Sequence, residues 1–206
     1  MKTNKFSSIS YLLAILFQFG CSEKATKEEM LRGMPADNRR ALESMDSTPM
    51  VASGIDRPLM LPADSVSLID SDKVIGVVVE GSPRAYPLKR MSSLLEHVVN
   101  DHVVDRNGKS KAFTVTYCNV TECIRVLHST SDGTVATLGI GTLGLVEGQL
   151  ALFRGTQTFK QDESIVGLLD MEYELTSWSG WKRRFPETLV YVGPESQVSK
   201  PTGVSP

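Results

Sequence analysis

The chain has 206 residues, 41% apolar and 22% charged, enough for one globular domain with a real core once the termini are set aside. Lysine and arginine (22) nearly balance aspartate and glutamate (24), leaving a net charge of −2 and no basic stripe, which excludes nucleic acid as an electrostatic partner. Only Ile9–Gly20 approaches an apolar run, and it is too short for a membrane-spanning helix.

The first residues read as an address. Lys2 and Lys5 form a positive n-region, and ISYLLAILFQF (Ile9 to Phe19) is the short apolar core of a secretory signal. Gly20 and Cys21 follow, then polar Ser22, Glu23 and Lys24. This arrangement resembles a bacterial lipobox, in which the cysteine is lipidated after cleavage, although Gln18 stands where that pattern prefers a small or aliphatic residue. The expectation is a signal peptide over 1–21 and a lipid anchor on Cys21. The chain is then an extracytoplasmic, membrane-anchored lipoprotein, in the periplasm or at the cell surface. The competing reading is an uncleaved anchor helix with Cys21 as a free thiol at the membrane surface.

Residues 22–58 are rich in Lys, Glu, Asp, Ser, Met and Pro without a strand period, and predict a flexible tether. Residues 194–206 are Ser, Pro, Gly and Lys, and predict a disordered tail. Between them, residues 59–193 predict one compact, mainly β (α+β) domain of antiparallel strands and hairpins. VIGVVV (Val74 to Val79) is apolar on both faces and reads as a buried strand. After a turn at Gly81 and Pro83, the residues Leu88, Met91, Leu94, Leu95, Val98 and Val99 recur at helical spacing and predict one amphipathic helix. Further strands are expected at Phe113–Tyr117, Ile124–His128, Val135–Ile140, Leu150–Phe153 and Leu189–Val192. A short C-terminal helix carrying Trp178 and Trp181 precedes the last of these.

The segment from Lys111 to His128 predicts a hairpin with a four-residue loop, Asn119 to Glu122. In that register Phe113 faces His128, Val115 faces Val126 and Tyr117 faces Ile124, so the apolar residues share a face. The same register sets Cys118 against Cys123. Directly opposed β-carbons lie roughly 4.5–5.5 Å apart, somewhat beyond a relaxed disulfide. Three readings remain open. The pair is a stapling disulfide, or it is a redox dithiol whose thiolate fraction is raised by Arg125, or it joins His128 in a metal site. The hairpin turns His128 to the opposite face, so no metal or other cofactor is expected.

Elsewhere, Trp178, Trp181 and Phe185 fall on one face of the short helix and read as core rather than a ligand platform. The carboxylates Asp162, Glu163, Asp170, Glu172 and Glu174 read as solvated surface. GIGTLG (Gly139 to Gly144) lacks a following lysine and reads as strand and turn. His97, His102 and His128 read as surface or edge residues.

GVVVEGSPRAYPL (Gly76 to Leu88), VVND (Val98 to Asp101), TVTYC (Thr114 to Cys118) and ELTSWSGWKRRFPETLVYVG (Glu174 to Gly193) together resemble the bacterial family known as domain of unknown function 3179. The resemblance spans essentially the whole domain and implies no activity. Where the family pattern is similar to Tyr-Cys-Pro-x-Cys-Gly, this chain has TYCNVTECIRV. Cys118 matches the first cysteine, Thr121 stands at the second, and Cys123 is displaced two residues on. Glu96 occupies the place of the family's histidine, and His97 follows it.

Two functions are therefore expected to compete. One is a tethered domain with a redox pair, in which Cys118 attacks, Cys123 resolves and Arg125 modulates charge, served by a protein or small-molecule redox partner. The other is a non-catalytic binding or structural lipoprotein with a stapled hairpin.

Overall fold

The computed structural model describes residues 51–130 and 137–195. The expected signal peptide, most of the expected tether, the expected tail beyond 195 and the start of the strand expected at Val135–Ile140 lie outside these residues. The apolar run around Val74 becomes β2 (Lys73–Val79), an interior strand that turns into β3 (Ser82–Pro87). Glu80 and Gly81 form the turn with φ of +49° and +75°. Both central residues are therefore left-handed, which matches the twist of the strands they join. β1 (Pro58–Pro62), β11 (Glu174–Ser177) and β12 (Leu189–Pro194) complete a five-stranded sheet in the order β1-β12-β3-β2-β11. Only β12 with β3 is parallel.

A second sheet has the order β10-β6-β5-β4, from β4 (Val98–Val104), β5 (Ser110–Tyr117), β6 (Ile124–Ser129) and β10 (Leu168–Asp170). β5 and β6 pair with Phe113 on His128, Val115 on Val126 and Tyr117 on Ile124, the register expected from alternation alone. A third sheet consists of β7 (Ile140–Val146), β8 (Gln149–Arg154) and β9 (Gln157–Lys160). The helix α1 (Trp178–Arg184) starts where the Ser177 hydroxyl accepts a hydrogen bond from the Gly180 N–H, satisfying one of the free amides at a helix start.

Three apolar clusters stack these elements in layers. Trp178 and Trp181 of α1 cover Val74, Ala85 and Val190 on the outer face of the five-stranded sheet. Its inner face, through Ile75, Val77, Tyr86 and Tyr191, meets Val99, Phe113, Val115, Tyr117 and Val126 of the second sheet. The far side of that second sheet carries Val98, Ala112, Cys118 and Leu127, packed against Ile140, Leu150, Leu152 and Phe159 of the third. The middle sheet is thus covered on both faces, and every residue from Ala112 to Cys118 is buried.

Three expectations change. The stretch Leu88–Val99 is not an amphipathic helix. It folds as two 3₁₀ turns, Leu88–Met91 and Leu94–Glu96, and then enters β4 at Val98. Its apolar spacing served two different layers, with Met91 and Val99 in the central cluster and Val98 in the far one. The packed body also begins earlier than residue 59. Ala52 is buried and bridges to Thr142, and Ile55 bridges to Val99. Its backbone hydrogen bonds to Thr142, Val98 and Asn100 and the Asp56 carboxylate on Asn100 hold this segment in place, contacts that its composition does not announce. Finally, His97 is no surface residue, being 4% exposed.

Trp178 and Trp181 are core, as expected. Trp181 lies over Gly76, and its indole N–H donates to Thr188 Oγ1 at 3.0 Å.

Candidate functional site

The β5–β6 hairpin end brings the expected residues together, but not as a bridge. Cys118 is a free thiol, 0% exposed, held among Leu127, Leu150 and the other apolar side chains between the second and third sheets. The candidate disulfide between Cys118 and Cys123 is not formed. Opposed strand positions hold their β-carbons wider than a disulfide's ~3.8 Å, and the Cys118 side chain is instead part of the apolar packing. Its backbone N–H donates to the Cys123 carbonyl at 2.9 Å, so the two residues do face one another across the hairpin. Cys123 is half-buried on the loop side.

Arg125 is engaged elsewhere. Nε donates to Asp170 Oδ1 at 2.6 Å and Nη2 to Oδ2 at 3.3 Å, while Nη1 donates to the carbonyls of Gln161 and Glu163 at 2.8 and 2.6 Å. This fork ties β10 and the chain after β9 to the hairpin. Asp162, Glu163, Glu172 and Asp170 are exposed, and Glu174 is half-buried. Glu174 pairs with Arg184 at 2.6 Å. His128 has its Nδ1 3.0 Å from the Ser129 carbonyl and is away from both cysteines in register. Among the described residues no group of three or more His, Cys, Asp and Glu side chains is placed to hold a metal ion. No described helix is long and apolar enough to cross a membrane.

The most elaborate polar chemistry lies in groups that motif reasoning passed over. Asn100, fully buried, donates from Nδ2 to Asp56 Oδ1 and to the Ile140 carbonyl, both at 2.9 Å. Its Oδ1 accepts from Thr114 Oγ1 at 2.6 Å and from the Ile140 N–H at 3.2 Å. All four hydrogen-bonding positions of the amide are filled. Next to it, Asp101 accepts from Tyr86 Oη at 2.6 Å and lies 3.7 Å from Arg84 Nε. Burial, followed by the Asp101 charge, pushes the Tyr86 phenol well above its usual range, so it stays a neutral donor. On the neighbouring ring, burial and then the Glu96 charge raise Tyr191. Burial in turn raises the Glu96 carboxyl, against the pull of Arg90. The signal available in sequence was a polar pair, Asn-Asp, set inside a β-branched run. That pattern announces a buried polar link but does not say to what.

His97 anchors the hairpin loop. Its Nδ1–H donates to the Ser93 carbonyl at 2.6 Å, and Nε2 lies 3.0 Å from the side-chain amide of Asn119, the residue after Cys118. Burial lowers its pKa from 6.5, with the Ser93 and Asn119 hydrogen bonds opposing. The unfolded chain therefore takes up a proton first as pH falls. Stability from this group is full above 6.5 and is lost as pH drops from there toward the folded value. The melting temperature of the protein is expected to fall between about pH 7.5 and pH 5, and His97→Gln to flatten that slope. An unchanged slope in the variant would assign the effect to other groups.

The family model described as a protein of unknown function (DUF3179) matches residues 46–204. The chain belongs to this family. The match begins before Ala52, in keeping with the early start of the packed DUF3179 domain. No curated protein and no solved structure matches the chain.

Proposed function

We propose that this DUF3179 protein is an extracytoplasmic lipoprotein, tethered to a membrane through lipid on Cys21, whose domain is a non-catalytic binding or structural module. The observation that carries the module reading is the placement of Cys118, to which the redox reading gives the attack, at 0% exposure in an apolar cluster. A thiol without solvent contact has no route to an electrophile, and the nearest cation of the hairpin, Arg125, is held by Asp170 and two carbonyls. In the native protein Cys118 is expected to react with a small alkylating reagent at least about a thousandfold more slowly than in urea, because reaction waits for unfolding. Native reactivity close to the unfolded rate would sink the module reading.

The tether rests on the sequence of the first 24 residues. The mature protein is expected to lack residues 1–20 and to carry acyl mass on Cys21, and Cys21→Ser to release it from the membrane fraction. An intact N-terminus of unmodified mass would overturn the lipoprotein reading.

A second reading, a thiol/disulfide couple of Cys118 and Cys123, is favoured by one observation. The Cys118 N–H on the Cys123 carbonyl makes theirs a hydrogen-bonded strand position, with α-carbons about 5.5 Å apart, inside the range a bridge tolerates. Where both cysteines are thiols, closing that bridge removes two electrons and two protons, which a partner disulfide or a small-molecule oxidant must accept. A midpoint potential above about −230 mV would favour a working couple, and one below about −300 mV an inert staple.

A further inference from the structure

Where the hairpin loop meets the third sheet, Thr121, Cys123, Gln149, Leu150, Gln161 and Asp162 line a small, partly open pocket of about 10 Å³. Gln161 is 2% exposed, and its side-chain amide has only one orientation open to it. Nε2 donates to Thr116 Oγ1 at 2.9 Å and to the Cys123 carbonyl at 3.2 Å. The carbonyl can only accept. The Thr116 hydroxyl gives its own proton to the Arg125 carbonyl at 3.0 Å, so toward Gln161 it too can only accept. Turning the amide over would set its oxygen against two acceptors. Gln161 Oε1 is therefore fixed in place, and it is buried with no protein donor.

A buried amide oxygen without a donor costs about 1–3 kcal/mol, and native structures resolve most such cases with a bound water. We infer that this cavity is a binding site for a single water molecule, which supplies the donor to Gln161 Oε1. The volume sits at the lower limit for one water, roughly 10–15 Å³, and admits nothing larger. The lining supplies the remaining partners. The Thr121 hydroxyl accepts from the Cys123 N–H at 3.4 Å and keeps its own proton to give. Asp162, whose Oδ2 accepts from Gln149 Nε2 at 3.0 Å across the mouth, offers a second acceptor. A water donating to Gln161 and Asp162 and accepting from Thr121 makes the three bonds typical of buried sites. It joins the hairpin loop to the third sheet, and it is the solvent molecule next to Cys123.

The test is water–protein cross-relaxation by NMR on the full, isotope-labelled chain. A long-lived water gives laboratory-frame and rotating-frame cross peaks of opposite sign at the Gln161 side-chain amide and the Cys123 N–H. Gln161→Met, which keeps the length of the side chain and removes the acceptor, is expected to abolish the Cys123 cross peak. Absence of opposite-sign peaks in the unsubstituted protein would overturn the site. So would a Cys123 peak that persists in Gln161→Met, because it would then be relayed from the Thr121 hydroxyl. The first measurement stands even if the variant fails to fold.

Discussion

Asn100→Ala is expected to destabilise the domain by about 3–5 kcal/mol, the largest effect of any polar substitution in it. The reason is the number of groups that depend on one amide. Asn100 links β4 to β5 through Thr114, to β7 through both backbone groups of Ile140, and to the N-terminal segment through Asp56. Alanine would leave the Thr114 hydroxyl and the Ile140 N–H and carbonyl in the buried interface between the second and third sheets, each missing a partner there. Asn100→Asp sharpens the test. It keeps both acceptors, loses both donors and sets a second carboxylate against Asp56 and a carbonyl. Its folded pKa must then rise above the ordinary value near 3.9, so its penalty grows as pH rises through that value and shrinks in acid. Urea unfolding at two pH values measures both effects. A loss below about 1 kcal/mol for Asn100→Ala would mean the network is dispensable.

Gly76→Ala is expected to cost about 3 kcal/mol, the upper end for overpacking a core. A β-carbon at Gly76 would lie 2.2, 2.3 and 2.6 Å from three ring carbons of Trp181. The ring cannot easily yield. It is 2% exposed, its indole N–H is fixed on Thr188, and Phe185 packs against it with ring centroids 4.4 Å apart. The two positions should therefore couple. Trp181→Phe alone opens a void and destabilises, but in the Gly76→Ala background it relieves the clash, so the double variant should be more stable than the sum of the single effects. Purely additive free energies would show that the helix shifts freely on the sheet.

Both predictions concern how the layers are held together, and they bear on the candidate site. The middle sheet is covered on both faces, by the five-stranded sheet on one side and the third sheet on the other. Polar groups that would face water in a two-layer sandwich, Thr114, Thr116 and Asn100, are here internal, and each must find a protein partner. Arg125 and Gln161 answer the same demand at the hairpin's end. The fold thus places side chains whose chemistry suggested reactivity, Cys118 and Arg125, in apolar packing and in a hydrogen-bond network.

What the sequence determined by itself was local. Alternation over Phe113–Tyr117 and Ile124–Val126 set the hairpin register, because a slip of one residue would reverse every side chain. The unbroken apolar run at Val74–Val79 marked an interior strand. The order of Trp, Trp and Phe marked a helix packed on the core. The third layer was decided only by tertiary structure. The far face of the hairpin carries Thr, Thr, Cys, Cys, Arg and Leu, which reads as a mixed half-exposed surface until β7, β8 and β9 are laid over it. For the same reason Leu88–Val99, whose apolar residues serve two separate clusters, imitated a helical stripe that no single face uses. The cysteines followed the same division. Their opposition across the hairpin was written in the register, but whether Cys118 would be an accessible thiol or a core residue depended on a sheet drawn from residues 140–160, and packing against it left the thiol buried.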